Sequence, residues 1–178
     1  MYYFTADEHY GHANIIRFCR RPFASVEEMD AELIRRHNEV VTDGDVVIHA
    51  GDFAYRNRRS ALAYAADLRG THIFLRGSHD HWLDANARDI WEQTIEGQHV
   101  VVCHYAMRVW PRSHHGSWQL YGHSHGTLAP IGKQCDIGVD SHEFFPVSFD
   151  RVRELMCARP ENAPDGGAAA ADGREAGD

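Results

Sequence analysis

Tyr3-Phe4-Thr5-Ala6-Asp7-Glu8-His9-Tyr10-Gly11-His12 is the stretch on which the reading of this chain turns. Tyr2 to Ala6 is short and apolar and reads as a strand that stops at Asp7. In an extended segment side chains alternate, so Asp7 and His9 share one side. The same phrase, an apolar strand running into Gly, Asp or His, recurs along the chain. Val46–His49 leads to Gly51-Asp52, and His72–Leu75 to Gly77-Ser78-His79-Asp80. Val100–Cys103 leads to His104, and Gln119–Tyr121 to Gly122-His123-Ser124-His125. Asp136–Val139 reads as a sixth strand. Met29, Leu33 and Val40 predict a helix over Val26–Val40. Further helices are expected over Arg59–Leu68 and from about Asp150 to Met156. Strands alternating with helices indicate an α/β layered fold. Ligands in open α/β folds bind outside the carboxyl ends of strands, so five such ends would meet in one polar cluster.

Composition narrows what that cluster can be. The chain has 178 residues, 43% hydrophobic and 25% charged, which suits one globular domain. We place the domain over residues 1–157 and read 158–178, rich in Ala, Gly and Asp, as a disordered tail. No apolar run approaches the ~20 residues of a membrane helix. The N-terminus is too short and polar for a signal peptide, so a cytoplasmic protein is expected. Four scattered cysteines, Cys19, Cys103, Cys135 and Cys157, fit buried thiols rather than a disulfide framework. A net charge of −8 argues against strong non-specific nucleic-acid binding. Fourteen histidines with no tag-like run are the unusual feature, because histidine is the commonest metal ligand.

A binuclear hydrolytic site needs two divalent ions roughly 3.5–4 Å apart, a bridging carboxylate and several N/O ligands. His123-Ser124-His125 repeats the spacing of Asp7 and His9, flanked by Gly122 and Gly126. Asp52 ends a very apolar strand, and a buried carboxylate is best explained by a cation. His37, His49, His72, His99 and His142 are better read as satisfied core histidines. Asp7 or Asp52 alone could be a cap; both together, beside the histidine pairs, could not.

Taken in order, Asp7-x-His9, Gly51-Asp52, Gly77-Ser78-His79-Asp80, His104 and Gly122-His123-x-His125 resemble the calcineurin-like metallophosphoesterase signature, in a small, compact bacterial or phage-type branch. The resemblance implies a four-layer αββα sandwich of two mixed sheets flanked by helices. It implies a first metal on Asp7, His9 and His125, a bridging Asp52, and a second metal on His104 and His123. His79 would stabilise charge or protonate the leaving oxygen, and Asp80 would orient His79. Where the family has a metal-binding Asn, this chain has Ser78, a shorter and poorer ligand. The implied chemistry is in-line attack on phosphorus by a metal-bridging hydroxide, with manganese the first choice and Fe, Zn, Co or Ni alternatives.

The expected activity is that of a phosphodiesterase or broad-specificity phosphatase with an open site, acting on a phosphoester, including nucleotides or nucleic-acid ends. Alternatives are a nucleotide pyrophosphatase on the same site and a non-catalytic metal-binding scaffold with a weakened second site at Ser78. The oligomeric state is not legible. His12 reads equally as a phosphate contact or a helix cap near Asn14. Arg17, with Arg20 and Arg21, reads as a phosphate-binding cluster or a solvated face. Arg108 sits in the loop before Gly122, where substrate choice is usually set. Trp110 and Trp118, in the same stretch, could stack a base but more simply pack.

Overall fold

The computed structural model describes residues 1–55 and 58–162, and the expected tail falls outside them from residue 163 onward. The described strands form two four-stranded mixed sheets. In the first, β3 (Thr71–Phe74), β2 (Val46–His49), β1 (Tyr2–Thr5) and β8 (Val147–Ser148) lie in that order. In the second, the order is β4 (Ile90–Ile95), β5 (Gln98–Cys103), β6 (Trp118–Tyr121) and β7 (Gln134–Asp136). Strands β1, β2 and β3 are parallel and in step, Thr5 pairing with His49 and His49 with Phe74. Strands β5, β6 and β7 are parallel too. Each set therefore delivers its carboxyl ends to one edge.

The sheets pack face to face over one apolar layer. Phe4, Ile48 and Leu75 of the first meet Val100, Val102 and Leu120 of the second, all at most 1% exposed. Helix α4 (Phe149–Cys157) adds Phe149, Val152 and Met156 to that layer, starting from Ser148, whose hydroxyl accepts from Arg151 N–H. Helices α1 (Ala13–Phe18), α2 (Val26–Val40) and α3 (Arg58–Ala66) cover the outside of the first sheet through a second cluster containing Met29, Leu33, Phe53 and Trp82. Helix α2 starts where its chemistry says it should: Ser25 accepts from Glu28 N–H while Glu28 reaches back to Ala24 N–H. The outer face of the second sheet is covered by the 105–117 segment. Gln119 and Gln134 reach its backbone at Tyr105 and Met107, and Trp110 is buried there, while Trp118 packs on the opposite, inter-sheet face.

Three strands differ from the sequence expectation, the two-residue β8 being one that was not anticipated. The sixth strand was expected over Asp136–Val139; β7 ends at Asp136, whose carboxylate accepts Gly138 N–H and turns the chain out of the sheet. Gly138 then bridges Ala6, and Val139–Ser141 form a 3-10 turn. Strand β4 was not anticipated. Only Trp91 and Ile95 on it are buried, too few to show alternation, although Glu96-Gly97, both at positive φ, mark its hairpin turn. At the other end the chain stays in contact with the body through Asn162, which bonds the backbone of Ser113, Ser117 and Lys133.

Candidate metal centre

The Asp7 and Asp52 loops run side by side, Asp7 N–H donating to Gly51 O and His9 N–H to Asp52 O. Asp7, His9, Asp52, His123 and His125 all have left-handed backbone, with φ between 46° and 68°. Such a conformation costs a non-glycine residue roughly 1 kcal/mol or more, and it clusters at functional sites. This corrects the period-two expectation. Asp7 and His9 share a side because consecutive turns aim them there, and the same holds for His123 and His125. Gly122 makes the closeness possible: a Cβ on it would stand 2.6 Å from Ala6 Cβ and 2.8 Å from the Asp7 carboxylate.

Four overlapping three-residue groups result among the described residues: two carry the expected ligands, and the others are His9, Asp52 and His79, and Cys19, His125 and Asp140. Asp7, His9 and His125 bring ligand atoms within 4.8 Å of one another, and so do Asp52, His104 and His123. Asp52 Oδ2 lies 3.6 Å from His9 Nε2 and 3.4 Å from His104 Nε2, so it stands between the groups. His123 Nδ1 is 3.2 Å from His104 Nε2. Ser78 Oγ donates to Asp52 at 2.9 Å, and the His79 ring lies 5.2 Å from that of His9.

The surroundings fit divalent cations. His9 Nε2 is buried with no hydrogen-bond partner among the described residues. A buried donor or acceptor left unmade is costly unless something else engages it. Burial holds His9 down to about 3, only partly opposed by Asp52, so its ring is neutral and free to ligate. Burial pushes Asp7 up to about 7, against the pull of His125 and His104; a cation would restore its charge. Burial also works against charge on Asp52, yet His104 and the His79 N–H hold it below the usual carboxylate range. Carboxylates and imidazoles of this kind suit divalent metal ions.

What braces the site was not legible beforehand. Arg21, read as part of a phosphate-binding cluster or a solvated face, is neither: it is buried. It grips Asp140 with Nε and Nη2 at 2.8 Å and donates to the carbonyls of Asp7 and Glu8. Asp140 in turn takes His125 Nδ1 at 2.7 Å. Asp80 does not serve His79 as expected. Its oxygens accept from Asp52, Phe53 and Gly77 N–H and from Trp82 Nε1, tying the second and third strand-end loops together. Glu8 is buried against His49 at 2.7 Å, with His72 3.0 Å beyond.

The cleft over the centre is about 330 Å³ and includes His12, Asn14, Tyr55, Ser78 and His79. His12 occupies the α1 N-cap position without a side-chain cap bond; its ring stacks on Tyr55 at 4.1 Å. Arg17 and Arg108, expected to meet substrate, line no part of this cleft. Arg17 is exposed with its guanidinium 5.4 Å from the Phe18 ring centre, and Arg108 is exposed on the 105–112 loop.

No family model matches the chain. Among solved structures it resembles a protein of unknown function, AQ665 from Aquifex aeolicus, at TM-score 0.69 and 19% identity, covering 87% of this chain and 98% of that one. Weaker likenesses, at TM-scores of 0.45 and 0.46 and 15% and 14% identity, link 77% of the chain to 70% of a predicted phosphoesterase from Streptococcus pneumoniae and 72% of Vps29 from Entamoeba histolytica. In sequence it is 31% identical over 165 residues to the uncharacterized protein MJ1445 of Methanocaldococcus jannaschii, covering 86% of this chain and 90% of that protein. The chain belongs to the family of MJ1445.

Proposed function

We propose that the chain is a metal-dependent phosphoester hydrolase, a phosphodiesterase or broad-specificity phosphatase working with two divalent ions. The observation that carries this reading is the pair of three-ligand groups sharing one wall at Asp52. Asp7, His9 and His125 would hold one ion, His104 and His123 the other, with Asp52 between them and the Ser78 hydroxyl beside it. Bound there, the ions lower the pKa of water and neutralise phosphoryl oxygens. Manganese is the first choice of metal.

The chain's own residues supply the rest. His79 faces the same cleft beside His9 and His12, where its ring can pass a proton to a leaving oxygen. Asp80 keeps the Asp52 and Gly77 loops locked, so the carboxylate and the His79 N–H that bonds it hold one geometry. The cleft is open, which suits a diester as readily as a monoester.

The test is turnover of bis(p-nitrophenyl) phosphate and p-nitrophenyl phosphate across Mn, Co, Ni, Zn and Mg. Manganese-dependent hydrolysis that chelation abolishes and His79→Ala strongly reduces is the expected result. Metal-loaded protein inert on both esters, and unaltered by His79→Ala, would overturn the reading.

A further inference from the structure

The reaction cleft does not end at the centre. It continues past His123 and His125 into a second, larger groove of about 860 Å³, and the two share Ile15, Phe18, His123 and His125 as a common wall. The larger volume falls in the roughly 300–1,000 Å³ range of organic-ligand pockets. It lies between the end of α1 and the loop after His125, with Phe18 and Arg20 on one side and Ser124, Thr127 and Leu128 on the other. Phe18 is 63% exposed and Leu128 48%. These are large apolar surfaces left at the mouth of a polar site. We propose, resting on the hydrolase reading above, that this groove holds the nucleoside of a phosphodiester whose phosphorus sits at the metal centre.

Three features select that occupant. The shared wall means that whatever is esterified to a phosphate beside His123 and His125 extends into the groove. Phe18 offers a ring face for stacking, and Arg17 already sets a cation 5.4 Å from its centre, an arrangement that suits a flat π-system. Arg20 lines the same groove and supplies positive charge for a further phosphate, which an alkyl or acyl group would not use. The chain's net charge of −8 disfavours a long polyanion, so the substrate is a short nucleotide ester rather than extended nucleic acid. The stacking surface sought in Trp110 and Trp118 is absent there, since both are buried; Phe18 provides it instead.

The test compares p-nitrophenyl esters that differ only in the second substituent on phosphorus: thymidine 5′-, methyl and octyl phosphate. With manganese-loaded full-length protein, the thymidine ester should exceed the methyl ester in kcat/KM by about 10-fold, the scale of one base–aromatic stack. Phe18→Ala and Leu128→Ser should each pull that ratio towards one, mainly through KM. Binding gives a readout independent of turnover: saturation-transfer NMR on the metal-free chain should show base protons of AMP in contact, and Phe18→Ala should remove the signal. Equal rates on thymidine and methyl esters, or a preference for octyl, with no AMP contact, would overturn the nucleoside proposal while leaving the hydrolase intact. Turnover of none of the esters, with AMP still bound at Phe18, would sink the hydrolase reading and keep the groove.

Discussion

His125 and His123 stand two residues apart on one loop, yet their rings are held in different ways. His125 is tied at Nδ1 to Asp140, Asp140 is gripped by Arg21, and Arg21 also holds the backbone beside Asp7. Two members of one group, the Asp7 backbone and the His125 ring, are thus fixed by a single buried guanidinium. The His123 ring has no comparable brace among the described residues, although the residue's backbone N–H donates to the Asp7 carboxylate. Its Nδ1 faces His104 Nε2, its outer ring edge meets Tyr105, and the residue is exposed. Hydrogen bonds behind the ligands orient them and raise their affinity. The Asp7 group is therefore preorganised. In the Asp52 group His104 is tied to Ala50 O and Asp52 to the His79 N–H, so the less braced ring is that of His123, which faces the His104 imidazole. Ser78, where the resemblance expects Asn, lies on that less braced side.

Removing the brace should have the largest effect. Arg21→Met leaves Asp140 buried without its cation, which costs roughly 3–5 kcal/mol. Thermal unfolding should shift down by about 10 °C, and the tightest metal site should be lost in metal analysis. His79→Gln should leave metal content at the wild-type level and lower kcat by about 10²–10⁴, which separates the ligands from the proton donor. Asp140→Asn should weaken the tighter metal about 10–100-fold, whereas Ser78→Asn should tighten the weaker one and lower the manganese needed for half-maximal activity. Opposite shifts in one metal titration would establish the asymmetry; equal shifts would erase it.

The smallest effect is a control outside both groups. His37 is buried, and burial holds it down to about 3, against 6.5 unfolded. Above pH 6.5 neither state binds the proton and nothing is lost. As pH falls from 6.5 towards 3 only the unfolded chain takes it up, so stability falls, by about 1 kcal/mol at pH 5.5. Denaturant melts at pH 7.5 and 5.5 should show that loss shrinking in His37→Gln.

The contrast between the groups also marks what sequence could and could not convey. Strand ends at Asp7, Asp52, His104 and His123 were legible because each follows an apolar run, and parallel strands in step must deliver their ends to one edge. The left-handed turns were not legible: the turn at Asp7 comes with a hydrogen bond from its N–H to Gly51 O, on a loop far away in sequence. The Arg21–Asp140 pair spans 119 residues and no local pattern links them. Asp80 sat inside a recognisable motif, yet its partners come from the Asp52 loop, so adjacency to His79 suggested the wrong role. The Phe18 groove depends on how α1 leans against the loop after His125, which only the folded chain reveals.

The most direct test of the two-ion account is anomalous diffraction from crystals of the full chain grown with manganese. Two peaks are predicted, one against Asp7, His9 and His125 and one against His104 and His123, with Asp52 reaching both. A single closed four-coordinate zinc, retained through exchange against manganese, would contradict it.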